Sequence, residues 1–178
     1  GTPSTEILET VAEQYPSIYS QWSPNEKVAF EVGIGASLGG ARTLVTMKHV
    51  GLNVAADPYM TFSYTGVNGG FVFVSADDPE MHSSQNEQDN RIFARFAKTP
   101  FLDPSDSQES KDMLLTAFEV SEQFDTPVML HMTTRISHSK GVVELREPVS
   151  VPDRKFVRDP AKYVMIPEYA RRRHVVVE

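Results

Sequence analysis

Two short runs of mostly apolar residues, 71–76 and 128–134, constrain the fold of this chain most strongly. Neither run alternates like a half-buried strand, and continuous runs of this kind are typical of strands buried on both faces of a parallel sheet. Residues 43–47 form a third such run. Because helical patterns separate the three, the sequence predicts an α/β fold with an open, mostly parallel sheet and helices on both faces.

Start signals mark the helices between these strands. Thr2 is predicted to cap a helix that begins at Pro3. The residues from Ser23 to Glu26 form a capping box with Pro at the first helical position. A second box, at 105–108, opens a helix with one apolar stripe.

Glu26 has two interpretations. As the third-position residue of the box, it would accept a hydrogen bond from the backbone N–H of Ser23 and have no other role. The helix behind it, however, contains glycines at 33, 35, 39 and 40. Since each glycine weakens a helix by roughly 1 kcal/mol relative to alanine, we expect another backbone or a ligand to approach one face closely. Spacing alone favours the capping role, and the glycine-rich helix keeps the functional interpretation open.

Composition excludes several classes of function. A net charge of −7 argues against a nucleic-acid surface. The chain has no cysteine, so it offers no disulfide, no thiolate nucleophile and no sulfur ligand for zinc or an iron–sulfur cluster. No apolar run is long enough for a membrane span and no signal-peptide pattern opens the chain, so we expect a cytoplasmic protein without membrane contact. The first residues, which include no initiator Met, indicate a piece of a longer protein.

The segment 75–96 is rich in ionisable residues and directly follows one of the predicted strands. Ligands bind at loops outside the carboxyl ends of strands in α/β sheets, so this segment is a candidate site. Asp77, Asp78 and His82 have the residue types and spacing of metal ligands. Asp-Asp-Pro-Glu is also an ordinary solvated turn, and we favour that interpretation, with no metal bound.

Other polar residues favour structural roles. His49 and His131 are typical of core histidines with satisfied ring nitrogens. Ser83 and Ser84 lie outside any Gly-x-Ser-x-Gly elbow. The glycines at 33–40 lack the spacing of a phosphate-binding loop.

Long stretches of the chain match a known enzyme family. They include NEKVAFEVGIGASLGGAR from Asn25 to Arg42, then TMKHVGLNVAADP and SADDPEMHSSQNEQDNRIFARFAK. The opening GTPSTE and the later TTRISHSKG and PEYARRRH match as well, so coverage is nearly complete. The chain resembles the large subunit of indolepyruvate ferredoxin oxidoreductase, in the region that binds the aminopyrimidine of thiamine diphosphate. The order of elements is more distantly similar to pyruvate and 2-oxoglutarate ferredoxin oxidoreductases.

The resemblance implies a chemistry. These enzymes oxidatively decarboxylate a 2-oxo acid, here an aryl pyruvate, transfer the acyl group to coenzyme A and pass electrons to ferredoxin. Thiamine diphosphate is the implied cofactor, while Mg²⁺ and [4Fe–4S] clusters are expected elsewhere in the full enzyme. Glu26 matches the family glutamate that hydrogen-bonds the pyrimidine ring, which favours its catalytic interpretation.

The resemblance also implies contacts with the substrate. Thr2 matches a threonine that contacts the substrate carboxylate in the pyruvate and 2-oxoglutarate enzymes. Those relatives clamp this carboxylate with an arginine near the end of the strand equivalent to 71–76, where this chain has Ser-Ala-Asp. His82, Gln85 or Arg91 is expected to replace the arginine.

Residues 1–146 are expected to form the pyrimidine-binding domain, and the Pro-rich, charged residues 147–178 a linker or arm toward the next domain. Implied partners are a diphosphate-binding domain of the same subunit, the small subunit, ferredoxin and coenzyme A. We also expect a homodimer formed through the glycine-rich helix or residues 59–70. The chain alone is expected to be inactive. Two alternatives stay open: a non-catalytic binding or assembly domain, and a non-redox thiamine diphosphate transferase.

Overall fold

A computed structural model describes residues 1–152 and 154–178, which contain a four-stranded sheet. The strands are β1 (Thr43–Lys48), β2 (Phe71–Asp77), β3 (Phe101–Leu102) and β4 (Val128–Thr133), in the spatial order β1-β2-β4-β3. Each described pairing is parallel, with Phe73 opposite Val45 on one side and Met129 on the other. The α/β class and the three predicted strands are confirmed, whereas β3 is too short for a sequence pattern to predict.

Helices cover both faces of the sheet, as predicted. In chain order they are α1 (Thr5–Gln14), α2 (Glu26–Gly39), α3 (His49–Val54), α4 (Ala56–Thr65), α5 (Arg91–Ala97), α6 (Ser107–Phe124), α7 (Thr134–Ser137), α8 (Pro160–Tyr163) and α9 (Pro167–Val177). Helices α2 to α5 lie over one face, and α1 and α6 pack on the other. Within the described part of the chain, every helix is too short or too polar to cross a membrane.

Aromatic side chains fill the core beneath α2 and α4. The most buried of them are Phe30, Tyr59, Phe62, Phe71 and Phe73. Ring centroids lie 4.9 Å apart for Phe30 and Phe71, and 4.8 Å apart for Tyr59 and Phe73. Tilted and edge-on pairs at such distances contribute about 0.5–1.5 kcal/mol each beyond the buried area. This cluster fixes α2 against the sheet and thereby fixes the position of its first residue, Glu26.

The glycines of α2 serve two different faces of the helix. A Cβ on Gly33 would lie 2.6 Å from Cγ2 of Val45, so this glycine lets α2 approach the sheet closely. A Cβ on Gly35 or Gly39 would meet no atom within 4 Å in the described residues. A close approach is thus found at Gly33, but the neighbours are strand side chains and not the backbone or ligand that the sequence predicts.

The helices begin later than their start signals predict. Helix α1 has Ser4, not Thr2, at its N-cap, without a side-chain bond. Helix α2 is capped by Asn25, whose side chain accepts a hydrogen bond from the backbone N–H three residues on, rather than by Ser23. In α6 the cap is likewise Asp106. Asn and Asp reach the free N–H groups of a first turn at least as well as Ser, so the nearer residue takes the cap.

The segment 147–178 contains α8 and α9, and its described residues fold back along the domain. Arg173 of α9 donates to the carbonyl of Tyr64 at 2.7 Å and to Asp125 at 2.9 Å. Lys162, in α8, donates to the carbonyl of Val67 at 2.8 Å. The sequence predicts a linker or arm here, and α8 and α9 are not predicted because the apolar residues follow no clear helical period. The boundary after residue 146 stays a prediction.

Candidate functional site

Polar groups collect at the carboxyl edge of the sheet, where β1, β2 and β4 end. Asp77, the last residue of β2, is buried and accepts three hydrogen bonds. They come from the hydroxyl of Ser75 at 3.0 Å, the backbone N–H of Asn90 at 2.9 Å and Nε2 of His131 at 2.9 Å. Asn90 also donates to Ser75 through its side chain, so the loop after β2 is tied back onto the strand.

His131 lies between two carboxylates and is only 3% exposed. Its Nε2 faces Asp77 at 2.9 Å and its Nδ1 faces Asp103 at 2.8 Å. Burial lowers the pKa of His131, but hydrogen bonds to the two carboxylates outweigh burial and raise the pKa above its ordinary value. Since ionised carboxylates only accept, both ring nitrogens donate and the side chain is an imidazolium. The prediction of a satisfied histidine is confirmed here.

Asp78 organises the next part of the loop. Its carboxylate accepts from the backbone N–H groups of His82 and Ser83, and from the hydroxyls of Ser84 and Thr134. Burial raises the pKa of Asp78, but these hydrogen bonds together hold it well below its usual range. The carboxylate is therefore ionised and stabilises the turn.

Asp77, Asp78 and His82, whose spacing would suit a metal, do not come together as one set of ligands. In the described residues, the ligand atoms within 4.8 Å of one another belong to Asp77, Asp89 and His131. His82 is instead exposed beside Glu80, with 3.8 Å between ring nitrogen and carboxylate. Asp77 and His131 already bond each other, so the geometry is that of a hydrogen-bond network.

Glu26 is the first residue of α2 and is half-buried. Its side chain lies against Gly51 in α3, where a Cβ would come within 2.5 Å of its Cγ and 2.9 Å of its Cδ. Within the described part of the chain its carboxylate has no hydrogen-bond partner, and the predicted bond to the backbone of Ser23 is not formed. The capping interpretation was wrong, because Asn25 holds that place.

The remaining predicted substrate residues lie apart. Arg91 donates to Asp89 at 2.8 and 2.9 Å and to Asp103 at 3.1 Å, so carboxylates occupy its guanidinium. The bond to Asp89 is the main cause of its raised pKa. His82 and Gln85 are exposed in the loop.

Thr2 is exposed near the end of β1. A Cβ on the preceding Gly1 would lie 3.7 Å from Cβ of Lys48. The Nζ of Lys48 donates to the carbonyl of Ser83 at 2.7 Å, which joins β1, the loop after β2 and the start of the chain. Sequence reasoning missed Lys48, although its place directly after an apolar run is the signal that could have found it.

His49, the first residue of α3, is fully buried. Its Nε2 faces the backbone carbonyl of Asn86 at 3.1 Å, while its Nδ1 has no hydrogen-bond partner among the described residues. The prediction that both nitrogens of this histidine are satisfied was therefore wrong. Two surface depressions, lined among others by Arg42 and Arg173, lie at the opposite edge of the sheet and do not include Glu26.

A family model described as "Pyruvate flavodoxin/ferredoxin oxidoreductase, thiamine diP-bdg" matches residues 2–175. The chain belongs to this family. The match covers α1 through most of α9, together with the whole carboxyl edge, and confirms the resemblance drawn from the sequence.

Curated relatives carry the name indolepyruvate oxidoreductase subunit IorA. The subunit of Archaeoglobus fulgidus is 49% identical over 97% of this chain and 29% of the relative. That of Pyrococcus abyssi is 51% identical over 98% of this chain and 28% of the relative. The 2-oxoglutarate synthase subunit KorA of Methanocaldococcus jannaschii is 27% identical over 86% of this chain. The chain spans less than a third of the length of the IorA relatives.

A solved structure shares the fold. It is a 2-oxoglutarate:ferredoxin oxidoreductase from Magnetococcus marinus with 2-oxoglutarate, coenzyme A and succinyl-CoA bound. The match has a TM-score of 0.65 at 16% identity and covers 76% of this chain and 25% of the other.

Proposed function

We propose that this chain is the pyrimidine-binding part of a thiamine diphosphate-dependent enzyme that oxidatively decarboxylates aryl pyruvates to acyl-CoA, with ferredoxin as electron acceptor. The observation that supports this best is the state of Glu26. A half-buried carboxyl at a helix start, pressed against a glycine and without a described hydrogen-bond partner, is free to bind an added ligand. The names of the similar subunits supply the substrate class.

The residues around Glu26 fit the pyrimidine half of the cofactor. Gly51 lacks a side chain where one would collide with the carboxyl, so Glu26 keeps its place at the carboxyl edge. With the pyrimidine half bound beside α2, the carboxyl of Glu26 would form a hydrogen bond with the ring nitrogen. When bound, thiamine diphosphate supplies the electron sink for decarboxylation.

The rest of the machinery belongs to other parts of the complex in this proposal. The chain has no cysteine, so [4Fe–4S] clusters need ligands from elsewhere. Mg²⁺ and the diphosphate are assigned to a second domain of the same subunit. The small subunit, ferredoxin and coenzyme A complete the reaction, which we place in the cytoplasm. Residues 1–146 form the binding domain, and 147–178 lead to the next domain.

We also propose a homodimer, with a changed interface. Residues 59–70 were expected to contribute, but they are mostly buried, because 59–65 lie in α4. The proposed interface is therefore the outer face of α2, where the exposed residues are Val32, Gly35, Ala36 and Gly39. A standard interface buries about 1,600 Å² in total. Light scattering of the full complex checks the pairing, and a single copy of the large subunit would contradict it.

The decisive experiment is Glu26→Gln in the full complex, assayed with indolepyruvate, phenylpyruvate and pyruvate. We expect turnover of the aryl pyruvates to fall by about 100- to 1,000-fold, because an amide cannot provide the proton. The matched control is Glu31→Gln, which removes an exposed carboxylate one turn further along α2. Near-normal turnover of Glu26→Gln would contradict the catalytic role.

The chain alone is expected to bind thiamine diphosphate weakly. The pyrimidine half offers one hydrogen bond and a few apolar contacts, while the charged diphosphate stays in water. Titration calorimetry of the 178-residue chain with cofactor and Mg²⁺ tests this. Micromolar binding by the chain alone would show that the diphosphate site is not in a separate domain.

A further inference from the structure

Lys48 differs from the other cations around the carboxyl edge. It ends β1 and is half-buried, and its Nζ donates one hydrogen bond, of 2.7 Å, to the carbonyl of Ser83. An ammonium group has three donors, so two stay available. Among the described residues no carboxylate lies within ion-pair distance of this Nζ. The ammonium group is therefore available to an anionic ligand.

The neighbouring cations are already paired. Arg91 is held by Asp89 and Asp103, and the imidazolium of His131 lies between two carboxylates. Lys27, next to Glu26 in sequence, contacts Asp57 at 3.2 Å. These three sites have their charge balanced and offer little to a further anion.

Arg135 is the other cation that could bind an anion, because it also lies at this edge and has no described ion pair. It is exposed, however, and its helix α7 follows β4. The sheet order β1-β2-β4-β3 places β4 two positions away from β1. Lys48 instead lies three residues before Gly51, which the side chain of Glu26 contacts. It is thus the unbalanced cation beside the proposed cofactor carboxyl.

We propose that Lys48 binds the carboxylate of the 2-oxo acid. The inference rests on the proposed function, since that function makes the ligand an aryl pyruvate. The stem of Lys48 packs against Gly1, so the following residue, Thr2, lies at the same end of β1. A lysine anchored on Ser83 also ties the loop after β2 to the bound substrate.

The test is Lys48→Met in the full complex, with Lys48→Arg as the conservative variant. Inhibition by 3-phenylpropionate, which has a carboxylate, is compared with inhibition by the neutral ketone 4-phenyl-2-butanone. We expect the methionine variant to weaken binding of the carboxylate about 10- to 100-fold, since a charge-assisted hydrogen bond is lost. In the methionine variant the neutral ketone should bind as before, and KM for phenylpyruvate should rise together with the inhibition constant of 3-phenylpropionate. Lys48→Arg should restore most of the carboxylate binding and most of the KM.

The matched control is Lys155→Met, which removes one exposed positive charge at the opposite edge, near Asn68. Equal weakening of both inhibitors would overturn the proposal, because it would show that Lys48 only holds the loop through Ser83. Unchanged inhibition in Lys48→Met would overturn it too, as would a selective loss in Arg135→Met instead. If the wild-type complex does not act on aryl pyruvates but binds 3-phenylpropionate through Lys48, the proposed function fails while the anion site stands.

Discussion

The two edges of the sheet handle charge differently. At the amino edge, Glu122 accepts a bidentate pair from Arg42 at 2.8 and 2.9 Å, and Arg154 adds a third contact at 3.3 Å. Close by, Asp125 pairs with Lys162 and Arg173. Each of these charged groups has a partner of opposite charge within the chain, and the partners from the C-terminal segment hold that segment to the domain.

At the carboxyl edge, some charged groups have no partner of opposite charge among the described residues. The network around His131 is closed, but Glu26 and Lys48 keep unused hydrogen-bonding capacity. Gly51 leaves room for the side chain of Glu26, and the stem of Lys48 lies close to Gly1. The comparison teaches that this domain uses paired charges to hold its parts together and keeps unpaired ones at the edge where we propose that ligands bind. The following predictions test that division.

The largest effect is expected at His131. Replacing it by leucine leaves Asp77 without its cationic partner in a buried place, so we expect a loss of about 3–5 kcal/mol in the free energy of unfolding. Urea denaturation followed by circular dichroism measures this. His138→Leu, which alters an exposed histidine, is the control and should change stability little. A loss below about 1 kcal/mol would mean that the network adds nothing to stability.

Gly51→Ala should act on activity. The new Cβ would collide with the side chain of Glu26 and displace its carboxyl. A displacement of about 1 Å costs roughly 100-fold in turnover, which we expect in the full complex with little change in melting temperature. Val54→Ala, at an exposed position of the same helix, should keep its turnover. Turnover of Gly51→Ala within about twofold of wild type would argue against Glu26 as the positioned acid.

Asp125→Asn should weaken the amino edge. The amide keeps one acceptor for the N–H of Val67 but loses the charge that balances Lys162 and Arg173. We expect about 1–3 kcal/mol less stability and faster proteolysis in α9. The control Glu168→Gln breaks an exposed pair on α9 itself and should cost at most about 0.5 kcal/mol. Equal effects of the two variants would show that the C-terminal segment is held in another way.

The edges should also differ in their response to pH. The pKa of His131 is raised on folding, so its stabilisation is complete below about 6.5 and is lost as pH rises through the folded value. The hydrogen bond from Arg42 lowers the pKa of Glu122, so its stabilisation is lost only as pH falls through the acid range. Denaturation between pH 6 and pH 9 should show a decline that His131→Leu removes. An unchanged slope in the variant would exclude His131 as its source.

The smallest effect is expected on α2. Gly35→Ala places a methyl group in open space and should stabilise the chain by about 0.5–1 kcal/mol. Gly33→Ala forces the same group against Val45 and Phe71, so it should instead destabilise by about 1–3 kcal/mol. Thermal denaturation of the two variants compares the outer and inner faces. Destabilisation by Gly35→Ala in the chain alone would show that this outer face is already covered.

The sequence predicts the parts of this molecule that depend on local pattern. Continuous apolar runs predict the buried strands, and long motifs around Glu26 identify the family. The contact of His131 with Asp103 requires the strand order, which no local pattern contains. Helix α9 has no apolar stripe at helical spacing, because an ion pair holds it to the domain. A sequence pattern therefore does not predict it. The partner of Lys48 is a backbone carbonyl 35 residues away, which residue types cannot reveal.

His49 has a consequence for experiments. Because the carbonyl of Asn86 can only accept, the Nε2 of His49 carries its proton, and the buried Nδ1 presents a bare lone pair two residues from Gly51. An imidazole ring held in one tautomer gives two well-separated ¹⁵N resonances. The Nδ1 resonance is therefore a built-in spectroscopic reporter close to Glu26, and it tests the proposed cofactor docking without any introduced label or any turnover.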